Sequence, residues 1–119
     1  MEITPNYFEK INLKVAKIKA VKKHPQTGDY VLLIDIGAVG ADKQLVADLK
    51  KSYKMEELVG KQIIYAQNTE PIVVEGIESI GLLLVTSKNS KPVLLCPEKK
   101  VTLGAKVVGL NNKEVGFKE

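Results

Sequence analysis

The residues with the clearest common chemistry are lysines, which crowd a segment near the start of the chain. Six lysines and no acidic residue occur between positions 10 and 23. They are Lys10, Lys14, Lys17, Lys19, Lys22 and Lys23. Ammonium groups on flexible stems attract phosphates, but they lack the planar fork with which arginine reads base edges. The run indicates either a phosphate-rich partner or a solvated face of a lysine-rich protein.

The other reactive side chains do not indicate catalysis. His24 is the only histidine and precedes a proline, so we expect it to shape a turn. Cys96 ends the apolar run 93–96, which is typical of a small buried hydrophobic residue. No Cys/His spacing suits zinc, and neither the phosphate-binding loop nor the dinucleotide fingerprint occurs. We therefore predict no enzymatic activity, no cofactor, no bound metal and no small-molecule substrate.

Composition restricts the class of protein. The chain has 119 residues, of which 45% are hydrophobic, and this suits the core of one domain. All 18 basic residues are lysine, and the net charge is +4. A single cysteine forms no internal disulfide and no apolar signal segment follows Met1, which predicts a cytoplasmic location. The longest apolar run, 81–85, is too short to cross a membrane, so no membrane partner is expected.

Short apolar runs predict a mostly β fold. The predicted strands cover 11–22, 30–36, 43–47, 61–67, 81–86 and 92–96, and the tail 101–110 is predicted to be further β structure. Thr4 and Pro5 predict a helix over 5–10, and 53–59 predicts one or two helical turns ended by Gly60. This order matches an all-β OB-fold, a five-stranded Greek-key barrel with a helix between its third and fourth strands. We predict one domain over 1–119, with the barrel over about 11–96.

The first predicted strand contains an inversion of its apolar pattern. Leu13 and Val15 share one face, whereas Ile18 and Ala20 share the other. Because side chains alternate with a period of two, the inversion predicts a β-bulge near Val15 and Ala16. A long, bent first strand can serve both halves of a small barrel. Its lysines would form a positive stripe beside the second and third strands, where OB-folds bind oligonucleotides.

Five segments of the sequence resemble the tRNA-binding domain family, in the family's own order. They are 11–18 (INLKVAKI), 24–25 (HP), 57–61 (ELVGK), 76–84 (GIESIGLLL) and 97–101 (PEKKV). The resemblance covers about 8–108. The family includes the C-terminal domain of many methionyl-tRNA synthetases, stand-alone dimeric tRNA-binding proteins, tRNA-aminoacylation cofactors and an export-related chaperone.

The resemblance implies an OB-fold that recognises the shape of folded tRNA near its elbow without reading an anticodon. It also implies a homodimer whose interface includes strands after the barrel, here about 97–112, and a methionyl-tRNA synthetase as a further partner. Lys14, Asn68 and Ser79 match positions of the family's motifs. The expected tRNA-binding residues are Lys14, Lys17, Lys19, Lys22, Lys23, Asn68, Ser79 and Leu82.

Three positions depart from the family's pattern. Leu82 replaces a methionine, Ala16 replaces a frequent glycine at the predicted bulge, and Ala47-Asp48 replaces Ser-Gly. An acidic side chain at the last position would repel phosphate. Two alternatives stay open: a dimeric chaperone that binds proteins on the same fold, and a structural subunit that only recruits a synthetase.

Overall fold

The computed structural model describes residues 1–111, in which short strands dominate. The elements in chain order are α1 (Pro5–Phe8), β1 (Leu13–Lys23), β2 (Tyr30–Asp35), a 3₁₀ turn (Gly37–Val39), β3 (Lys43–Ala47), α2 (Met55–Leu58), β4 (Gln62–Ala66), β5 (Ile72–Val74), β6 (Ile77–Ser79), β7 (Leu82–Leu83), β8 (Val85–Lys88) and β9 (Lys91–Leu94). No helix within 1–111 is long and apolar enough to span a membrane.

Five antiparallel strands form the main sheet, in the order β3-β2-β1-β4-β7. The sheet curls into a nearly closed barrel because the segment after β6 bonds to β3. The Ile80 N–H donates to the Gln44 carbonyl at 2.8 Å. The Gln44 amide in turn donates to the Glu78 carbonyl at 2.8 Å. This confirms the predicted OB-type barrel, with α2 between its third and fourth strands.

The core fills the barrel with aliphatic side chains and two tyrosines. Ile18, Leu32, Ile34 and Ile63 are fully buried. Leu58 of α2 is also fully buried and belongs to the same cluster. Although α2 has only one turn, the Glu57 carboxylate accepts a hydrogen bond from the Lys54 N–H at 2.7 Å, which satisfies one of the free donors at its start.

The bulge in β1 lies at Lys19, so the predicted position near Val15 and Ala16 is wrong. Pairing of β1 with β4 is continuous from Leu13 to Lys17, and the register shift occurs between Ile18 and Ala20. Val15 and Ala16 are nevertheless both buried, at 5% and 0% exposure. The apolar pattern inverts because both faces of the first half of β1 are covered, and no extra residue is needed there.

The C-terminal segment covers the second face of the first half of β1. The Val15 N–H donates to the Ala105 carbonyl at 2.9 Å, and the Gly104 N–H donates to the Val15 carbonyl at 2.8 Å. Leu13 and Val15 are buried but lie outside the barrel's core cluster. Instead of the β structure predicted over 101–110, this segment has a turn at Leu103 and Gly104 and one isolated bridge, between Lys14 and Lys106.

A hairpin that the sequence analysis did not predict follows β4. Its strands β5 and β6 are joined by Glu75 and Gly76, whose φ angles are 44° and 85°. Two residues with positive φ make the primed turn that suits the twist of a hairpin. Cys96 also differs from expectation, because it is exposed rather than part of the core. The chain leaves the barrel after Leu94, its last buried apolar residue.

A contact between Gly81 and Tyr65 closes the barrel near this hairpin. The Tyr65 side chain is fully buried, and its hydroxyl donates to the Ile80 carbonyl. Burial raises the pKa of Tyr65 to about 12, so the phenol keeps its proton at neutral pH. A Cβ at Gly81 would lie 2.6 Å from Cε1 of that ring. Only glycine lets the backbone approach the tyrosine so closely.

Gly81→Ala should destabilise the barrel more than Gly76→Ala. Both glycines have a left-handed φ, which costs alanine about 1–2 kcal/mol. Only position 81 adds an overlap with Tyr65, because a Cβ at Gly76 meets nothing within 4 Å. We expect a further loss of about 1–3 kcal/mol in the free energy of unfolding, measured by urea denaturation. Equal losses in the two variants would contradict this account.

Candidate nucleic-acid interface

A groove lies on the outer face of β1, β2 and β3. Strand alternation turns Ile18, Leu32 and Leu45 into the core, so their neighbours face outward. A cavity of about 270 Å³ lies here, and we call it the groove. Its lining residues are Ala20, Val21, Lys22, Val31, Leu32, Leu33 and Gln44. Its floor is mostly aliphatic, and Lys22 is the one charged residue among those that line it.

The hairpin of β5 and β6 borders the groove beside β3. Ser79, only 3% exposed, accepts a hydrogen bond from the Val46 N–H at 2.9 Å through its Oγ. This bond occupies a donor on the free edge of β3, where no strand pairs. Ser79 therefore holds the rim of the groove in place. Because its own side chain is buried, a ligand would contact the residues around it instead.

His24 joins the hairpin to the turn between β1 and β2. Its Nδ1 accepts from the backbone N–H groups of Gln26 at 3.0 Å and Thr27 at 3.3 Å. These two donors require a bare Nδ1, so the proton is assigned to Nε2, which donates to the Val74 carbonyl at 2.8 Å. The side chain is 2% exposed. The prediction that His24 shapes a turn is confirmed, and its bond to Val74 of β5 is an added role.

The lysines of β1 do not form the single stripe expected from the sequence. Lys17 and Lys22 lie on the outer face, where Lys22 borders the groove. Lys14 and Lys23 pair with Tyr65 and Tyr30 of the core, so they share the inward face at opposite ends of the strand. Alternation and the bulge together distribute the positive charge over both faces.

Lys19, the extra residue of the bulge, is already paired. Its Nζ lies 2.9 Å from Asp42 Oδ2. The hydrogen bond that Lys19 donates to this carboxylate, together with the charges of Asp42 and Asp35, holds the pKa of Lys19 above its usual value. A phosphate at this position would have to share the ammonium group with Asp42. Lys19 is therefore a weaker phosphate ligand than its unpaired neighbours.

Asn68 and Leu82 lie at the other end of β1 from the groove. The Asn68 side chain accepts from the Asn12 N–H at 2.7 Å and donates to the Lys10 carbonyl at 2.8 Å, clamping the start of β1 to the end of β4. Leu82 is 53% exposed and pairs with Ala66. At about 3.3 Å per residue, up to about 30 Å of strand separates this end from Lys22. The predicted site residues thus form two groups rather than one pocket.

The structure also identifies residues that the sequence analysis missed. Gln44 and Val46 present the edge of β3 to the hairpin, and Val74 receives the His24 bond. The Glu75-Gly76 dipeptide between short apolar runs was the available signal for this hairpin. Within 1–111 no three His, Cys, Asp or Glu residues lie close enough to hold a metal ion.

A barrel of five antiparallel strands with an open groove over β1, β2 and β3 is an OB-type binding domain. The sequence profile of the family described as "Putative tRNA binding domain" matches residues 13–106. The chain belongs to this tRNA-binding domain family. The resemblance found in the five sequence segments is thereby confirmed.

Similar proteins include a tRNA ligase and two small proteins. Methionine–tRNA ligase of Pyrococcus furiosus is 45% identical over 101 residues, covering 84% of this chain but only 14% of the ligase. The CsaA chaperone protein from Picrophilus torridus has a TM-score of 0.82 at 30% identity, covering 90% of this chain and 100% of that one. A MetRS related protein from Pyrococcus horikoshii has a TM-score of 0.79 at 29% identity, covering 90% and 99%.

His24→Ala should loosen the hairpin beside the groove. The change leaves the Val74 carbonyl and two backbone N–H groups without their partner, which should lower the free energy of unfolding by about 1–3 kcal/mol. Amide hydrogen exchange in β5 and β6 should accelerate. Gln26→Ala is the matched control, since Gln26 is exposed and its bond to His24 uses only the backbone. Equal exchange rates in both variants would show that the His24 side chain does not hold the hairpin in place.

Proposed function

We propose that this protein is a non-catalytic tRNA-binding protein that recognises the shape of folded tRNA. The observation that supports this most strongly is the match of the tRNA-binding family profile to residues 13–106, which include every strand of the barrel. The groove beside Lys22 supplies a surface of the kind on which OB-folds bind nucleic acid. An all-lysine set of basic residues favours phosphate contacts over base reading.

Two contact regions would share the tRNA. On the outer face that carries the groove, Lys17 and Lys22 would hold phosphates, with Lys19 contributing less because of its pair with Asp42, and Lys23 would hold one from the opposite face of β1. At the far end of β1, Lys14 would contact phosphate beside the exposed Leu82 and the clamp formed by Asn68. Two regions separated along the barrel suit a rigid, folded RNA better than a short single strand.

The biological role would be to deliver tRNA rather than to transform it. Similarity to part of methionine–tRNA ligases supports a methionyl-tRNA synthetase as partner. Tethering the two proteins would make the second tRNA encounter intramolecular and so raise the local tRNA concentration. We place this role in the cytoplasm.

The groove is tested by Lys17→Gln combined with Lys22→Gln. If each ammonium group neutralises one phosphate, the slope of log affinity for tRNA against log salt should become shallower by about 1.4–1.8. The measurement is a filter-binding salt titration with tRNA and with a single-stranded RNA of equal length. Lys17→Glu with Lys19→Glu should abolish binding while circular dichroism shows the fold retained.

The matched control is Lys113→Gln with Lys118→Gln, which removes the same charge outside the segment that the family profile matches. It should leave the slope almost unchanged. If the groove variant behaves like the control, the groove is not the tRNA site. If the wild type binds tRNA with no salt dependence, phosphate contact is excluded altogether.

A dimeric, protein-binding chaperone is the second candidate. Ile72 and Val73 of β5 are 59% and 70% exposed, and Leu82 adds a third exposed apolar side chain. Apolar groups presented in this way suit an unfolded polypeptide. The name of the similar CsaA chaperone protein also favours this candidate. A flat salt response, together with binding of a reduced, unfolded test protein, would favour this candidate over tRNA.

We also propose a homodimer that uses the extension over about 97–112, of which position 112 lies outside the described residues. Leu110 is 72% exposed, and pairing with a second copy would cover it. Light scattering should give twice the chain mass of 13.1 kDa, and Leu110→Asp should shift it toward a single chain. Val59→Asp, at a residue 53% exposed outside the extension, is the control. A wild-type mass of one chain would refute the dimer.

A further inference from the structure

A second cavity is lined by basic residues, none of which belongs to β1. The tip of the β8–β9 hairpin approaches the loop before α2 and leaves a cavity of about 330 Å³ between them. We call it the hairpin cleft. Its polar lining residues are Lys51, Ser52, Tyr53, Lys88, Asn89 and Lys91. Three of these six carry a positive charge and none carries a negative one, so the cleft is a concentrated positive site.

Two of the three lysines face each other under electrostatic strain. Lys88 and Lys91 are directly paired across the antiparallel hairpin. Like charges at directly opposite positions destabilise a sheet. The ion pairs among the described residues use Lys19 and Lys50, so no acidic side chain there offsets this repulsion. An anion between the two ammonium groups would remove it.

The wall of the cleft is packed around Ser52. The Ser52 Oγ is buried and has no hydrogen-bond partner among residues 1–111, and a ligand in the cleft does not reach it because solvent does not. The wall is also held firmly, because Tyr53 accepts from the Leu94 N–H at 3.1 Å and its carbonyl accepts from the Tyr30 hydroxyl at 2.8 Å.

We propose that the hairpin cleft binds phosphate groups. Three ammonium groups around one cavity match the charge of an oxyanion, and the volume leaves room for more than one phosphate. Lysines without arginine favour charge neutralisation over recognition of one molecule. The source of the phosphates is the backbone of the bound RNA, which extends the proposed function to a second surface. A free polyphosphate would use the same chemistry, so the test separates these sources.

The test compares two double variants. The cleft variant carries Lys88→Gln and Lys91→Gln, and the control carries Lys113→Gln and Lys118→Gln, which removes the same charge. Removing the like-charge pair should leave the thermal midpoint unchanged or raised. In the tRNA salt titration the cleft variant should show a slope shallower by about 1.4–1.8, whereas the control should not. In parallel, inorganic pyrophosphate is titrated into labelled wild type and cleft variant, and the amide signals of Ser52 and Asn89 are followed by NMR.

A slope change confined to the cleft variant supports RNA as the source. Unchanged slopes, with pyrophosphate shifts that the variant loses, support a site for free phosphates. If neither occurs, or if the control loses as much slope as the cleft variant, the cleft proposal is overturned. The groove variant is measured separately. Its effect on tRNA binding therefore tests the proposed function independently of the cleft. Conversely, pyrophosphate binding by a protein that ignores tRNA would overturn the proposed function and leave the cleft standing.

Discussion

The barrel depends on how the free edge of β3 is satisfied. A closed barrel needs partners for the backbone groups of its last strand, and β7 is too short to supply them. The Ile80 N–H and the Ser79 hydroxyl oxygen take over this task at Gln44 and Val46, while Gly81 lets the chain pass against Tyr65. The same bonds hold the rim of the groove. The groove and the closure of the barrel therefore depend on the same contacts.

The distribution of charge follows from strand geometry. Lysines close together in sequence are turned to opposite faces by alternation, and the bulge adds one further change of direction at Lys19. The positive charge of β1 consequently lies on both faces of the strand instead of lining one pocket. A surface of this kind can hold a large folded polyanion at several separated points, and it offers no planar groups to read bases.

Much of the fold was predictable because its strands are short and clearly bounded. The predicted strand over 43–47 matches β3 at both ends, and the helical turn before Gly60 is present as α2. The bulge was misplaced because burial on both faces of β1 imitates an inserted residue. The hairpin at Glu75-Gly76 was missed because its strands are only three residues long. Cys96 was misjudged because an apolar neighbourhood in sequence does not specify where the chain leaves the core.

The sequence by itself determined the class of fold, the family and the all-lysine chemistry, since these depend on local patterns and on residue types. Only the tertiary structure decided which of these residues act together. Asp42 neutralises Lys19 from a distance of 23 positions, and His24 meets Val74 from 50 positions away. Lys51 and the tip of the β8–β9 hairpin, which are far apart in sequence, likewise line one cavity. Such contacts arise from the closure of a Greek-key barrel, which brings distant segments together without leaving a mark on local periodicity.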